Sequence, residues 1–299
     1  MGRMTSSDAP GRGVLGALVP AEVRPPGVAA VEDLERVGFY VPAYMGPVTE
    51  FERMRDMPNL RVVQLLTAGY ESALPYLPAG VILCNASGVH DASTAELAVG
   101  LMLASLRGID EFARAMPRGE WRFGRREALA DKRVVVVGAG GVGQAIRGRL
   151  EPFETDVVMV GRSVRPGVHA GSELPALLPS ADAVVLAVPL TEQTHHLVDT
   201  RFLALMRDGS LLVNVARGPV VDTDALVEQV ASGRIRAALD VTDPEPLPPD
   251  HPLWMLPGVL ISPHVGGNTS AFLPRACRLV AEQLRRFVAG EPLSSVVSR

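Results

Sequence analysis

Short runs of branched apolar residues, separated by glycine, proline and charge, recur along the chain. The clearest lies in KRVVVVGAGGVGQ at 132–144, where four valines lead straight into a glycine-rich turn. No polar residue alternates with them, so 134–137 read as a strand buried on both faces. Residues 145–150 continue in helical composition. Upstream, the pattern predicts strands at 14–19, 38–41, 60–66 and 81–84, with a helical stretch at 28–36. Strands alternating with short helical stretches imply a small parallel α/β domain. A long helix is predicted next. Ser93-Thr94-Ala95-Glu96 has the form of a capping box, and apolar positions continue through Leu97, Leu101, Met102, Ile109, Phe112 and Met116. This helix is expected to bridge two domains. Residues 117–131 are polar and basic and read as a connection, in which Trp121 and Phe123 are candidates for a domain or subunit contact.

Further strands are predicted at 156–160, 183–188, 211–215, 236–239 and 259–261, with helices at 172–178, 223–231 and, long and amphipathic, 271–288. Six apolar βα-type units from Arg133 onward describe a doubly wound parallel sheet of the Rossmann type. No internal repeat is present, and the one biased segment is the proline-rich stretch 244–252.

Composition narrows the function class. A chain of 299 residues, 47% hydrophobic and 21% charged, suggests two domains with sizeable cores. A net charge of −4 gives no reason to expect a nucleic-acid partner. Cys84 and Cys277 lie far apart and match no metal spacing, so no metal site is expected and a reducing cytoplasm is. No apolar run approaches the roughly 20 residues of a membrane span. The N-terminus lacks the apolar core of a signal peptide. It fits the loose myristoylation pattern at Gly2 and Ser6, but the reading taken is a disordered tail.

Gly138, Gly140 and Gly143 fall at the spacing G-x-G-x-x-G between strand and helix. In that context the first glycine permits a tight turn, the second admits a pyrophosphate, and the third lets helix and strand pack closely. Gly141 and Val142 lie inside the same loop, at the helix N-terminus where backbone N–H groups receive an anion. About 20 residues further on, an acidic residue usually binds the ribose hydroxyls of NAD. Here the second strand ends in Gly161-Arg162-Ser163, with Arg165 nearby and no carboxylate. A guanidinium makes charge-assisted hydrogen bonds to a 2′-phosphate and Ser163 adds another, so NADP(H) is favoured and NAD(H) stays open.

Three further segments, LLVNVARGPVVD at 211–222, ALDVTDPEPLPPDHPLW at 238–254 and ISPHVGGNT at 261–269, join the glycine loop and VPLTEQTHHLV at 188–198 in one pattern. Together they resemble the D-isomer-specific 2-hydroxyacid dehydrogenases over about Asn85 to Gly267. The resemblance implies hydride transfer between NAD(P)H and a small 2-oxo or 2-hydroxy acid. It implies catalytic roles for Arg217, Glu245 and His264. Arg217 suits a carboxylate beside a carbonyl, because its planar fork is permanently charged. His264 suits proton donation to the developing oxyanion, with Glu245 on its other ring nitrogen raising its pKa. The resemblance also implies substrate binding at Ala68, Gly69, Tyr70 and Arg217, and cofactor binding at Thr94, Val188, Pro189, Thr194 and Ala216. Asp240, ending its strand, is assigned to the cofactor end of the sheet. One departure is Gly69-Tyr70-Glu71, where the family usually has Gly-x-Asp. The loop has no lysine, which argues against phosphite as substrate.

The architecture so implied is a Rossmann domain, residues 94–272, inserted in a smaller flavodoxin-like substrate domain, residues 1–93 and 273–299. The substrate is expected between the two domains, with hinge closure excluding water, and a homodimer is expected through the nucleotide domains. Glyoxylate and hydroxypyruvate are the first substrate candidates. The alternatives are an NAD-linked D-lactate or phosphoglycerate type, without the long C-terminal extension of the larger phosphoglycerate enzymes, or a dinucleotide-sensing corepressor-like protein.

Overall fold

The computed structural model describes residues 16–29, 31 and 33–297. The pattern at Gly2 and Ser6, the first two positions of the strand predicted from Val14, and positions 30 and 32 of the helical stretch at 28–36 lie outside the described residues. The chain divides into two compact units: one holds the residues up to His90 and from Ser270 onward, the other Asp91–Thr269. Both junctions fall slightly earlier in sequence than expected.

The smaller unit carries a four-stranded parallel sheet of β1 (Gly16–Leu18), β2 (Val37–Tyr40), β3 (Val62–Gln64) and β4 (Ile82–Cys84), in that spatial order. The stretch before β2 forms only a 3-10 turn, Leu34–Arg36, where a helix was predicted. The C-terminal helix Phe272–Ala289 belongs to this unit and buries Phe272, Ala276, Val280 and Leu284 with Val62, Leu66 and Cys84. Gln64 and Gln283 are fully buried on its core side. Gln283 Nε2 donates to Gln64 Oε1 at 2.6 Å, and Gln283 Oε1 accepts from the Ser294 amide at 2.9 Å. The chain end is thereby laid antiparallel along β4, with Val297 N donating to Leu83 O at 2.8 Å.

The larger unit carries a seven-stranded sheet of β5 (Arg133–Val137), β6 (Asp156–Gly161), β7 (His169–Ala170), β8 (Ala183–Leu186), β9 (Leu211–Asn214), β10 (Arg236–Leu239) and β11 (Val259–Ile261). Every pairing is parallel, in the order β11-β10-β9-β8-β5-β6-β7. This is the doubly wound Rossmann arrangement, so the fold class is as expected. The valines of β5 alternate between faces: Val134 and Val136 enter one core, Val135 and Val137 the other. The two-residue β7 escaped the sequence pattern.

The helix Asp91–Arg107 packs Ala95, Ala98, Met102 and Leu106 against this sheet beside Ile146 and Leu150. Fully burying such an aliphatic side chain contributes about 1.5–3 kcal/mol. Two expectations about this helix are corrected. It starts at Asp91, so Ser93 and Thr94 lie buried inside its first turns and not at a capping box. It also stops at Gly108, whose φ of 64° terminates the helix in the left-handed region, and Ile109–Ala115 forms a separate segment. It is wholly part of the larger unit. Among the described residues no single helix is long and apolar enough to cross a membrane.

Gln283→Leu leaves the buried Gln64 Oε1 and the half-buried Ser294 amide without their partner. It is expected to destabilise the protein by about 2 kcal/mol, read as a lower urea midpoint; an unchanged midpoint would show that the network adds nothing.

Candidate active site

The strand order of the larger sheet reverses between β5 and β8, and ligands of open α/β sheets bind outside the strand ends at such a point. A cavity of about 750 Å³ opens there. Gly138 and Gly140 line it from the turn after β5, Arg162 and Arg165 from the end of β6, and Val188, Pro189 and Thr194 from the loop after β8. Thr194 ties that last loop, its Oγ1 donating to Pro189 O at 2.6 Å and accepting from Thr191 N at 2.8 Å.

The glycines of the turn serve different ends. Gly138 has φ of 119°, and a Cβ on Gly143 would stand 1.8 Å from Gly138 O, so the fold itself demands glycine at both. A Cβ on Gly140 would meet nothing within 4 Å. Glycine there leaves open space in the cavity wall, at the start of a helix (Gly141–Leu150) with no side-chain cap. The N-terminus of a helix beside such open space suits a pyrophosphate, and the Asp91 carboxylate packs against the same turn, 1.9 Å from where a Cβ on Gly141 would stand. Leu174 and Leu197 add apolar wall, and no carboxylate lines the cavity. Arg165, whose Nη2 donates to Ala139 O at 2.6 Å, reaches across the turn. The residues present therefore fit a dinucleotide. Arg165, named beside Arg162 in the sequence, lines the cavity, and Leu174 and Leu197 join the expected residues with no sequence signal beyond their segments. Gly141, Val142, Gly143, Ser163, Thr94, Ala216 and Asp240 are not among the residues lining the cavity.

The loops after β9, β10 and β11 hold the second constellation. After β9, the buried Asn214 ties the turn: its Oδ1 accepts from Ala216 N and its Nδ2 donates to Arg217 O, both at 3.0 Å. Arg217 returns Nη1 to Ala216 O at 2.6 Å. After β10, Thr223 Oγ1 donates to Asp243 O at 2.8 Å and Thr242 Oγ1 to Pro244 O at 2.9 Å, which anchors the segment bearing Glu245. After β11, His264 Nδ1 bonds Glu245 Oε1 at 2.5 Å. This bond raises the His264 pKa above the ordinary imidazole value, against burial and the nearby Arg217. The same bond holds the Glu245 carboxyl below the ordinary carboxylate range. With Nδ1 committed, Nε2 is the ring atom free to give or take a proton.

Asp240 lies at the C-terminal end of its strand, as read, and its side chain has a structural task there. It is 3% exposed and its carboxylate is taken up by the His264 loop. Oδ1 accepts from Ser262 Oγ at 2.7 Å and Val265 N at 2.9 Å, and Oδ2 from Gly266 N at 2.9 Å. Its backbone carbonyl also accepts from His264 N at 2.8 Å. Asp240 thus clamps the loop that presents the histidine. Thr94 lies behind it, its methyl 3.5 Å from where a Cβ on Gly266 would stand.

In the smaller unit, the loop after β3 carries Ala68, Gly69 and Tyr70. Asn85 Nδ2 donates to Ala68 O at 2.8 Å and Thr67 Oγ1 to Gly69 O at 2.7 Å. Both carbonyls are tied back by side chains.

Comparison with known proteins agrees with this geometry. Residues 99–266 match the D-isomer specific 2-hydroxyacid dehydrogenase NAD binding domain. A glyoxylate reductase of Thermofilum pendens is 34% identical, over 83% of this chain and 78% of that protein. Among solved structures, a D-isomer specific 2-hydroxyacid dehydrogenase of Xanthobacter autotrophicus Py2 in complex with NADPH and MES is 32% identical, with a TM-score of 0.76 over 92% of this chain and 88% of that one. An NAD-dependent formate dehydrogenase of Staphylococcus aureus in complex with NAD is 29% identical, with a TM-score of 0.72 over 90% and 85%.

Glu245→Gln replaces the carboxylate on Nδ1 with a neutral amide and leaves burial and Arg217 to act alone on the ring. The His264 titration midpoint, followed by NMR of its ring protons, is expected to fall. A midpoint that does not move would show that the pair is not electrostatically coupled.

Proposed function

The chain belongs to the D-isomer specific 2-hydroxyacid dehydrogenase family, and from that premise we propose that it is an NADPH-dependent reductase of small 2-oxo acids, of the glyoxylate or hydroxypyruvate type. The observation that carries the chemistry is the imidazole of His264 held on Glu245, with Arg217 close enough to act on its charge. A bound nicotinamide dinucleotide supplies the hydride. Arg217 holds the carboxylate and polarises the carbonyl with its planar guanidinium. His264 carries a proton on Nε2, delivers it to the carbonyl oxygen in reduction and takes it back in oxidation. Glu245 fixes the ring and keeps that proton available near neutral pH. Ala68, Gly69 and Tyr70 receive the substrate carboxylate through backbone N–H groups. Gly140 and the first turn of the helix after it hold the pyrophosphate.

For the cofactor, the reading rests on Arg162 and Arg165 in the cavity wall, where no carboxylate lies to repel a 2′-phosphate. Among the described residues neither arginine is in a salt bridge. The free thiols of Cys84 and Cys277 support placement in a reducing cytoplasm.

We also propose that the protein is a homodimer. Trp121 is 93% and Phe123 94% exposed, beside Met116 at 76% and Ile109 at 51%. They line a cavity of about 780 Å³. An apolar patch of this kind marks an interface, and a second copy of the chain is the occupant proposed.

The first test is the initial rate of NADPH and NADH oxidation with glyoxylate, hydroxypyruvate, pyruvate and phenylpyruvate. Turnover with NADPH preferred is expected, and silence with every acid, cofactor still bound, would remove the reading. His264→Ala should lower kcat by roughly 10²-fold or more. Arg162→Ala should raise KM for NADPH by about tenfold while leaving NADH nearly unchanged; equal losses would show that Arg162 does not read the 2′-phosphate. Trp121→Ser with Phe123→Ser should convert a dimer to a monomer by light scattering, and a wild-type monomer would refute the dimer outright.

A further inference from the structure

The loop after β3 holds a contact that the proposed function does not use. Tyr70 N donates to Glu71 Oε2 at 2.9 Å. On the other side of the loop the carbonyls of Ala68 and Gly69 are fastened by Asn85 and Thr67. Asn85 is itself held: its carbonyl accepts from the buried Gln64 at 3.0 Å, and its amide donates to Ser295 O at 3.1 Å. With its carbonyls anchored, the loop offers N–H groups as its available polar face, and one of those groups is already bonded to a carboxylate.

We infer that Glu71 is an internal competitor for the substrate carboxylate. The inference rests on the reading that Tyr70 N–H is one of the donors for that carboxylate. The donor has one hydrogen, so a substrate carboxylate has to displace the Glu71 side chain before it binds. The two carboxylates also repel each other while both are near. Glu71 can leave readily, because among the described residues no lysine, arginine or histidine forms a salt bridge with it, and it is only half-buried. The competent loop is therefore a fraction of the population, and apparent affinity is reduced by that fraction. The effect falls on binding and not on the proton or hydride step. Glu71 acts as a specificity-determining residue: it selects substrates that bind tightly enough to evict it, and it assists release of a product acid by taking its place.

The test uses the full chain with saturating NADPH. Glyoxylate serves as substrate, and oxamate serves as an unreactive 2-oxo-acid isostere whose Kd is measured by calorimetry. In Glu71→Ala the oxamate Kd and the glyoxylate KM are both expected to fall about three- to tenfold, with kcat within about twofold of wild type. Glu71→Gln keeps the side-chain shape without the charge and should fall between the two. Unchanged NADPH affinity in both variants confirms that they are folded. An oxamate Kd unchanged or weakened in both, while wild type binds oxamate, overturns the inference and leaves the 2-oxo-acid reading standing. If wild type neither binds oxamate nor reduces glyoxylate, that reading fails and the inference falls with it.

Discussion

The site of the larger unit depends on one buried carboxylate. Asp240, at the end of β10, gathers the Ser262 hydroxyl and the amides of Val265 and Gly266 onto its two oxygens. That grip folds the chain after β11 sharply enough to put His264 at φ of 51°, in the left-handed region. For a residue with a Cβ this conformation costs about 1 kcal/mol or more, which the bonds to Asp240 offset. Without the clamp the chain would relax towards extended backbone and the imidazole would leave Glu245. A buried carboxylate that accepts three hydrogen bonds is a strong constraint, because loss of a partner leaves it in a medium that solvates it poorly.

The sheet supplies the rest of the arrangement. Because β9, β10 and β11 are adjacent and parallel, the loops that follow them leave from one edge. Arg217, Glu245 and His264 sit on successive loops of that edge, each fixed by its own local bonds: Asn214 for the first, Thr223 and Thr242 for the second, Asp240 for the third. The same edge, past the reversal between β5 and β8, carries the glycine turn and the arginines. A dinucleotide site and a proton-transfer pair thus need no long-range adjustment beyond the register of one sheet.

Much of this was legible in the chain itself. Strands buried on both faces announce themselves as unbroken valine and leucine runs, and the helix at Thr223–Ala231 was read to the residue. The pairing of Glu245 with His264 was expected only through the resemblance of their segments to a known family. Most of what was missed turns on where a side chain ends up, which local pattern does not encode. Ser93-Thr94-Ala95-Glu96 has the spelling of a cap, but the helix starts at Asp91 and buries Ser93 and Thr94. Gly108 was submerged in an apolar run that continues past it, although glycine at a helix end is a stop signal. Asp240 bonds residues more than 20 positions away, so its partners are visible only in the folded chain. Glu71 turning back on Tyr70 N is a local contact, but many side-chain rotamers compete with it.

The charges of the larger site carry a further consequence. Arg217 and protonated His264 are balanced by Glu245 and Asp240, so the assembled group is near neutral when the imidazole holds its proton. A substrate carboxylate placed at Arg217 adds a negative charge, and the site tolerates it best with His264 protonated. Arg217 opposes protonation of His264 in the free protein, and neutralising the guanidinium with a carboxylate weakens that opposition. By linkage, carboxylate binding and proton retention on His264 then favour each other, since each raises the affinity for the other by the same factor. On the proposed roles of these residues, the protonated form of His264 is therefore most populated when a 2-oxo acid is bound, and a substrate without a carboxylate would lose both an anchor and part of the proton that the reduction needs.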